Sequence, residues 1–141
     1  MVLPAPEPGL VIRYAFLWSD EFRDGRDEAV KDRPAVVVLA VRRRNHDTVV
    51  LVAPITHRPP DPDAAVEIPA RVKVRLGRDD ERSWIVASEL NEFVWPGPDL
   101  RTVPGTDRVS YGFLPPHLFD RLRRSIAALR DAGRLARVPR T

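Results

Sequence analysis

The sequence predicts a mainly β fold, a small barrel or sandwich, with one C-terminal helix. Fifteen prolines divide the 141 residues into short segments, which disfavours long helices. Two runs, 34–41 and 48–55, are continuously apolar and rich in β-branched residues, as is typical of strands buried on both faces. The helix is predicted from apolar residues at helical spacing near the end of the chain, namely Leu118, Leu122, Ile126 and Leu129.

The predicted strands follow one another closely. The first covers 10–16, and a long, charged, mobile loop is expected over 17–32. A polar turn at 42–47 joins the two buried runs, so these runs are expected to pair antiparallel. After a proline-rich connector at 59–63, a short hairpin is predicted from 66–68 and 72–76, and weaker strands at 83–87 and 92–95.

The C-terminal part has clear helix boundaries. Pro115 and Pro116 suit a helix start, and Gly133 suits its C-terminal cap. Residues 134–141 lack apolar periodicity and are predicted to form a flexible tail. The domain prediction is therefore a single domain over 1–133 followed by that tail.

Composition narrows the function classes. The absence of cysteine excludes disulfides and cysteine-based metal sites and fits a reducing cytosol. We find neither an apolar run of about 18 residues nor a signal peptide, so we expect a cytoplasmic protein with no membrane partner. The three histidines show no metal-ligand spacing, so no metal is predicted. A net charge of +3 and a pI of about 9.9 permit a polyanionic partner, although arginine-rich coding by a GC-rich genome explains them equally well.

Two polar motifs flank the buried runs. Arg33 precedes the first run and Thr56 follows the second. In an antiparallel pair the start of one strand lies beside the end of the next, so both side chains are expected to share a cleft. Seen separately, Arg33 fits a surface arginine and Thr56 an ordinary turn hydroxyl.

These motifs resemble the PemK/MazF toxin family. The resemblance runs over about 8–129 and is carried by Pro8-Gly9, Arg33-Pro34-Ala35, Ala53-Pro54-Ile55-Thr56 and the closing helix. It implies an SH3-like barrel, usually a homodimer, that cleaves single-stranded RNA without metal or cofactor. It also implies a cognate antitoxin as the partner that holds the toxin off.

The resemblance implies roles for individual residues. Arg33 matches the family's catalytic arginine, for which stabilisation of the phosphate charge is the safer role. Thr56 matches the hydroxyl that orients the scissile phosphate. His57 stands where a serine is common in the family. Two roles are open for it: a general acid or base, or a solvated turn residue. The candidate substrate contacts, in and around the charged loop, are Trp18, Arg26, Lys31 and Asp32.

One segment departs from the family pattern. Residues 88–93 are acidic where many members carry a glutamine-isoleucine-arginine segment. Glu89 and Glu92 would repel an RNA backbone unless they face away from it. The alternative function is therefore a non-catalytic binding module, or a protein-directed toxin of the gyrase-poison kind.

Overall fold

The computed structural model describes residues 3–26 and 31–140; residues 27–30 of the predicted loop lie outside the described part. The helices are α1 (Ser19–Arg23), α2 (Ala70–Arg75) and α3 (Pro116–Asp131), with a 3₁₀ turn at Pro62–Ala64. The strands are β1 (Leu10–Tyr14), β2 (Arg33–Arg42), β3 (Thr48–Thr56), β4 (Ala65–Glu67), β5 (Trp84–Val86), β6 (Glu89–Trp95), β7 (Leu100–Arg101), β8 (Ser110–Phe113) and β9 (Ala136–Pro139).

The strands form one mainly antiparallel sheet. Its order is β4-β5-β3-β2-β1-β7, with β6 also paired to β3 and β8 to β1. The predicted hairpin of the two apolar runs is confirmed, because β2 pairs antiparallel with β3 from Ala35 opposite Pro54 to Arg42 opposite Thr48. This register brings the start of β2 and the end of β3 to the same margin of the sheet.

Two hydrophobic cores lie on opposite faces of the β2–β3 pair. Val36 and Ala53 belong to the first core, and their neighbours Val37 and Val52 belong to the second. Side chains alternate between the two faces of a strand, so a strand covered on both sides needs apolar residues at every position. This explains the apolar residues at 35–37 and 50–55. Beyond Val37 the prediction of burial on both faces is wrong, because Leu39 is 46 % and Val41 47 % exposed.

The closing helix packs on the first core. Leu118, Leu122 and Leu129 of α3 are buried there. The helix ends as predicted, because Gly133 has the left-handed φ of 69° and Arg134 N–H donates to Leu129 C=O at 2.8 Å. The mainly β class with a C-terminal helix is thus confirmed. Across the described residues, no helix is both long and apolar enough to cross a bilayer.

The prediction of a strand at 72–76 is wrong, because Ala70–Arg75 forms α2. The sequence alternates Val-Lys-Val-Arg-Leu, which is the pattern of a half-buried strand. The structure instead buries Val72 and Leu76, which are four residues apart, and leaves Val74 76 % exposed. Lys73 is buried in its place, so tertiary packing overrides the local pattern.

Two further predictions differ from the structure. The expected loop at 17–32 contains α1, whose residues are all at least partly exposed. The prediction of a flexible tail over 134–141 is wrong for 136–139, because these residues form β9, which is parallel to β6. Main-chain bonds hold this strand, including Ala136 N–H to Ser88 C=O at 2.9 Å, and Val138 is buried. One buried side chain in four residues leaves almost no signal in a sequence.

Candidate active site

A cleft of about 940 Å³ opens at the sheet margin where β1 and β3 end and β2 begins. Both Arg33 and Thr56 line it. The last pair of the β2–β3 ladder is Ala35 with Pro54, so Arg33 and Thr56 each lie two residues beyond it, at the same margin of the sheet. The two residues expected to share a cleft therefore do so.

Arg33 is held in an unusual environment. Its guanidinium carbon lies 5.0 Å from the centre of the Trp18 ring, which is the range of a cation–π contact. Its Nε is buried and has no hydrogen-bond partner among the described residues. Burial lowers the pKa of Arg33, while the nearby Glu21 carboxylate opposes that effect. Arg33 thus lines an open cleft while one of its donors is buried without a partner.

Thr56 presents a hydroxyl with spare capacity. It ends β3 opposite Trp84 of β5, and its Oγ1 accepts a 3.1 Å hydrogen bond from Arg58 N–H. This turn fixes the oxygen, yet a hydroxyl that accepts one bond still has its own hydrogen to donate. A phosphate oxygen in the cleft is a suitable acceptor.

His57 also lines the cleft, but its ring contacts the segment 79–83. Its Nδ1 lies 3.0 Å from Arg82 C=O and 3.1 Å from Ser83 Oγ, and its Nε2 lies 3.2 Å from an Asp79 carboxylate oxygen. The imidazole therefore links the end of β3 to that segment, while 41 % of the side chain stays exposed. Its predicted proton-transfer role stays a prediction.

Comparison with known proteins assigns the family. A family described as PemK-like, MazF-like toxin of type II toxin-antitoxin system matches residues 13–93. The chain belongs to this toxin family. No curated protein sequence matches it. Its fold is similar to a chain in the crystal structure of MazE-MazF (Form-III) from Deinococcus radiodurans, with a TM-score of 0.60 and 16 % identity over 91 % of this chain and 98 % of the other. The predicted barrel of PemK/MazF type is confirmed.

Of the four substrate-contact residues predicted for this PemK/MazF-type chain, three line the cleft and one does not. Trp18, Lys31 and Asp32 line the cleft, and Asp32 lies 3.5 Å from Arg101 Nε. Arg26 is outside the cleft lining and contacts Glu21 at 3.6 Å. Within 3–26 and 31–140, no three His, Asp or Glu side chains are grouped to hold a metal ion.

The glutamates of residues 88–93, the segment that departs from the family pattern, are bound to groups outside the cleft. The Glu89 carboxylate accepts bonds from the N–H and the hydroxyl of Ser19, at 2.8 and 2.6 Å. Glu92 forms an ion pair with Arg137 of β9. Neither glutamate lines the cleft, and the carboxylates that do line it are those of Asp20, Glu21 and Asp32.

Sequence reasoning missed two arginines of this cleft. Arg13 of β1 and Arg78, which follows α2, both line it, and both contact the Tyr111 hydroxyl. A charged residue within the apolar run around Arg13 was the available signal. No local pattern marked Arg78 or Tyr111.

Proposed function

We propose that this protein is a metal-independent endoribonuclease that cleaves single-stranded RNA as the toxin of a type II toxin-antitoxin pair. The observation that supports this most directly is that Arg33 and Thr56 both line one open cleft. Family membership supports the toxin part of the proposal. The RNase part rests on the chemistry of these two side chains.

Cleavage requires the ribose 2′-oxygen to attack the neighbouring phosphorus. A bond from the 2′-oxygen to phosphorus forms, the bond to the 5′-oxygen breaks, and one proton moves from the attacking to the leaving oxygen. Negative charge grows on the remaining phosphate oxygens. The Arg33 guanidinium stabilises that charge, and the Thr56 hydroxyl donates to one of the same oxygens. Arginine stays protonated at neutral pH, so Arg33 acts through its charge.

The assembly is part of the same proposal. We infer a cytoplasmic homodimer whose cognate antitoxin covers the cleft. The similar chain belongs to a MazE-MazF structure, which supports an antitoxin partner. The lining carries five Lys and Arg side chains against three carboxylates, Asp20, Glu21 and Asp32, and this excess of positive charge would suit an acidic antitoxin segment.

The direct test is RNA cleavage in EDTA by the purified chain. Cleavage of single-stranded RNA should persist without divalent ions and fall by about 100-fold or more in Arg33→Ala and in Thr56→Ala. Arg82→Ala is the matched control, because Arg82 also stacks on a tryptophan, Trp84, at 4.9 Å, but lies outside the cleft lining. The control should cleave normally.

Two results would contradict the proposal. One is the absence of cleavage across substrates of varied sequence, and the other is full activity in both cleft variants. Growth arrest on expression that survives Arg33→Ala, without RNA cleavage, would indicate the protein-directed alternative.

A further inference from the structure

Two further arginines of the cleft lining, Arg13 and Arg78, meet at the hydroxyl of one tyrosine. Arg13 Nη1 donates to Tyr111 Oη at 3.2 Å, and Arg78 Nη1 lies 3.5 Å from the same oxygen. The Arg78 guanidinium also stacks over the Tyr111 ring at 5.0 Å. The three residues, here called the Arg13 cluster, come from β1, the segment after α2, and β8.

Tyr111 reaches this position through an irregularity in the sheet. Val11 pairs with Gly112 and Ile12 with Ser110, so Tyr111 is the extra residue of a bulge between β8 and β1. A bulge turns a side chain away from the regular alternation and is common beside active sites. Here the bulge sets the Tyr111 hydroxyl between two guanidinium groups.

The cluster carries more positive charge than its surroundings neutralise. Among the described residues Arg13 has no carboxylate at ion-pair distance, and Arg78 has only Asp79, at 3.6 Å. Asp79 is already bound by the Lys73 ammonium at 2.7 Å. The Arg78 side chain is only 19 % exposed, so water screens this charge incompletely. An anion between the two arginines would relieve it.

The cluster lies on the other side of the sheet margin from Arg33. Tyr14 pairs with Arg33, and Arg13 pairs with Pro34, so the pleat directs Arg13 and Arg33 to opposite faces. Both line the cleft. The cleft therefore turns around the margin, from the Arg33 and Thr56 side to the Arg13 cluster.

We propose that the Arg13 cluster is a second phosphate site, which holds a phosphate adjacent to the scissile one in single-stranded RNA. The proposal rests on the proposed RNase function and adds the residues that hold the neighbouring nucleotide. Two arginine forks match phosphate oxygens. The Tyr111 hydroxyl accepts from Arg13 and still has its hydrogen to donate to the same anion.

The test measures binding of short RNAs whose 2′-O-methyl groups prevent cleavage. One ligand is a dinucleotide with a single phosphate, and the other is a tetranucleotide with three. In Arg13→Ala and Arg78→Ala, affinity for the tetranucleotide should fall about tenfold, and the slope of log affinity against log salt should become shallower by about 0.7 for each lost phosphate contact. Affinity for the dinucleotide should change far less.

Two further variants complete the design. Arg75→Ala is the matched control, an exposed arginine on α2 outside the cleft lining, and it should bind both ligands normally. Tyr111→Phe keeps the ring and removes only the hydroxyl, so it should weaken the tetranucleotide selectively even if an arginine variant misfolds. Thermal melting of each variant checks folding.

The possible outcomes distinguish the second phosphate site from the proposed RNase function on which it rests. The second site alone would be overturned by one combination of results. In it, the unmodified chain cleaves RNA, while the arginine variants and Tyr111→Phe bind both ligands with unchanged affinity and salt slope. Equal losses on both ligands would also overturn it, since they would indicate a general effect of charge. An unmodified chain that neither binds nor cleaves RNA would overturn both proposals.

Discussion

At the scale of single residues, Arg33 combines features that folding alone would not select. Its buried Nε has no partner in the described structure, and leaving such a donor unsatisfied costs about 1–3 kcal/mol. The stacking of the guanidinium on Trp18 stabilises the fold by only about 0.5–1 kcal/mol. The residue therefore weakens the fold slightly at the position where an anion would use its charge.

Replacing Arg33 with methionine should make the protein more stable and inactive at once. We expect Arg33→Met to raise the free energy of unfolding in urea by about 1 kcal/mol, because the orphaned donor disappears while apolar contact with Trp18 remains. Arg82→Met is the control. Arg82 stacks on Trp84 and its donors are bound by Glu67, so this change should not stabilise. A destabilised Arg33→Met would show that Arg33 supports the fold.

Tyr14 should make stability sensitive to alkaline pH. Its side chain is fully buried, and burial together with the Asp99 carboxylate raises its pKa. In the unfolded chain a tyrosine loses its proton near pH ~10, whereas the folded protein keeps it. The corresponding stability is therefore fully present below pH ~10 and is lost as the pH rises further.

Tyr14→Phe isolates this effect. The variant keeps the stacking on Phe93, at 4.7 Å in the native protein. It removes a hydroxyl that makes no hydrogen bond of regular geometry and whose pKa the neighbouring Arg140 lowers less than burial raises it. Relative to the unmodified chain, it should gain about 1.4 kcal/mol per pH unit above pH ~10. Urea unfolding on both sides of that pH measures the difference, and parallel curves for the two proteins would contradict the argument.

The residues of the candidate site were predictable only where sequence separation is small. Arg33 and Thr56 flank one hairpin, whose register follows from two apolar runs and a polar turn. The Arg13 cluster depends on β8 pairing with β1 from 98 residues away, and on a bulge that no local pattern marks. His57 was identified as a candidate, but its contacts with 79–83 require the path of a distant loop.

At the scale of elements, a buried lysine ties α2 to the segment behind it. The Lys73 ammonium donates to Asp79 at 2.7 Å and to Glu81 C=O, and its side chain is 4 % exposed against 38 % for Asp79. This hydrogen bond lowers the pKa of Asp79. The stability that it supplies is therefore present above pH ~4 and is lost as the pH falls through the lowered pKa.

The two partners should respond unequally to substitution. Asp79→Ala leaves a buried ammonium without its carboxylate and should cost about 1–3 kcal/mol. Lys73→Met leaves only a partly exposed carboxylate, so it should stay within about 1 kcal/mol of the native stability or exceed it, and should lose part of the acid sensitivity. Urea unfolding at neutral and acidic pH measures both. Equal losses in the two variants would contradict this asymmetry.

Helices and strands were predicted correctly where the hydrophobic pattern of the segment fitted only one type of secondary structure. The hairpin of β2 and β3 and the helix α3 follow from long apolar patterns with clear boundaries. The alternation around Lys73 fits a strand, yet the polar partners of the ammonium allow a helix that buries it. In β9 the pairing with β6 is made by the main chain, and such bonds are invisible in side-chain composition; the side chains add only the buried Val138 and the Arg137–Glu92 ion pair.

At the scale of the whole molecule, the two hydrophobic cores share the same strands. Val36 and Val37 are adjacent and fully buried, the first in the core under α3 and the second in the core on the opposite face. Losing either core exposes one face of β2 and β3, which are the central strands for both. The cores should therefore unfold together, as expected for the single domain predicted over 1–133.

Substitutions in either core should shift one common transition. Val36→Ala and Val37→Ala should each cost about 1–3 kcal/mol. Unfolding in urea can be followed by the helical far-UV signal, which reports mainly on α3, and by fluorescence of Trp18, which packs against the second core, in a Trp84→Phe, Trp95→Phe background. Both signals should shift equally in both variants, with an unchanged dependence on urea. If Val37→Ala moved only the Trp18 transition, each face of the sheet would unfold independently, and the single-domain prediction would be wrong.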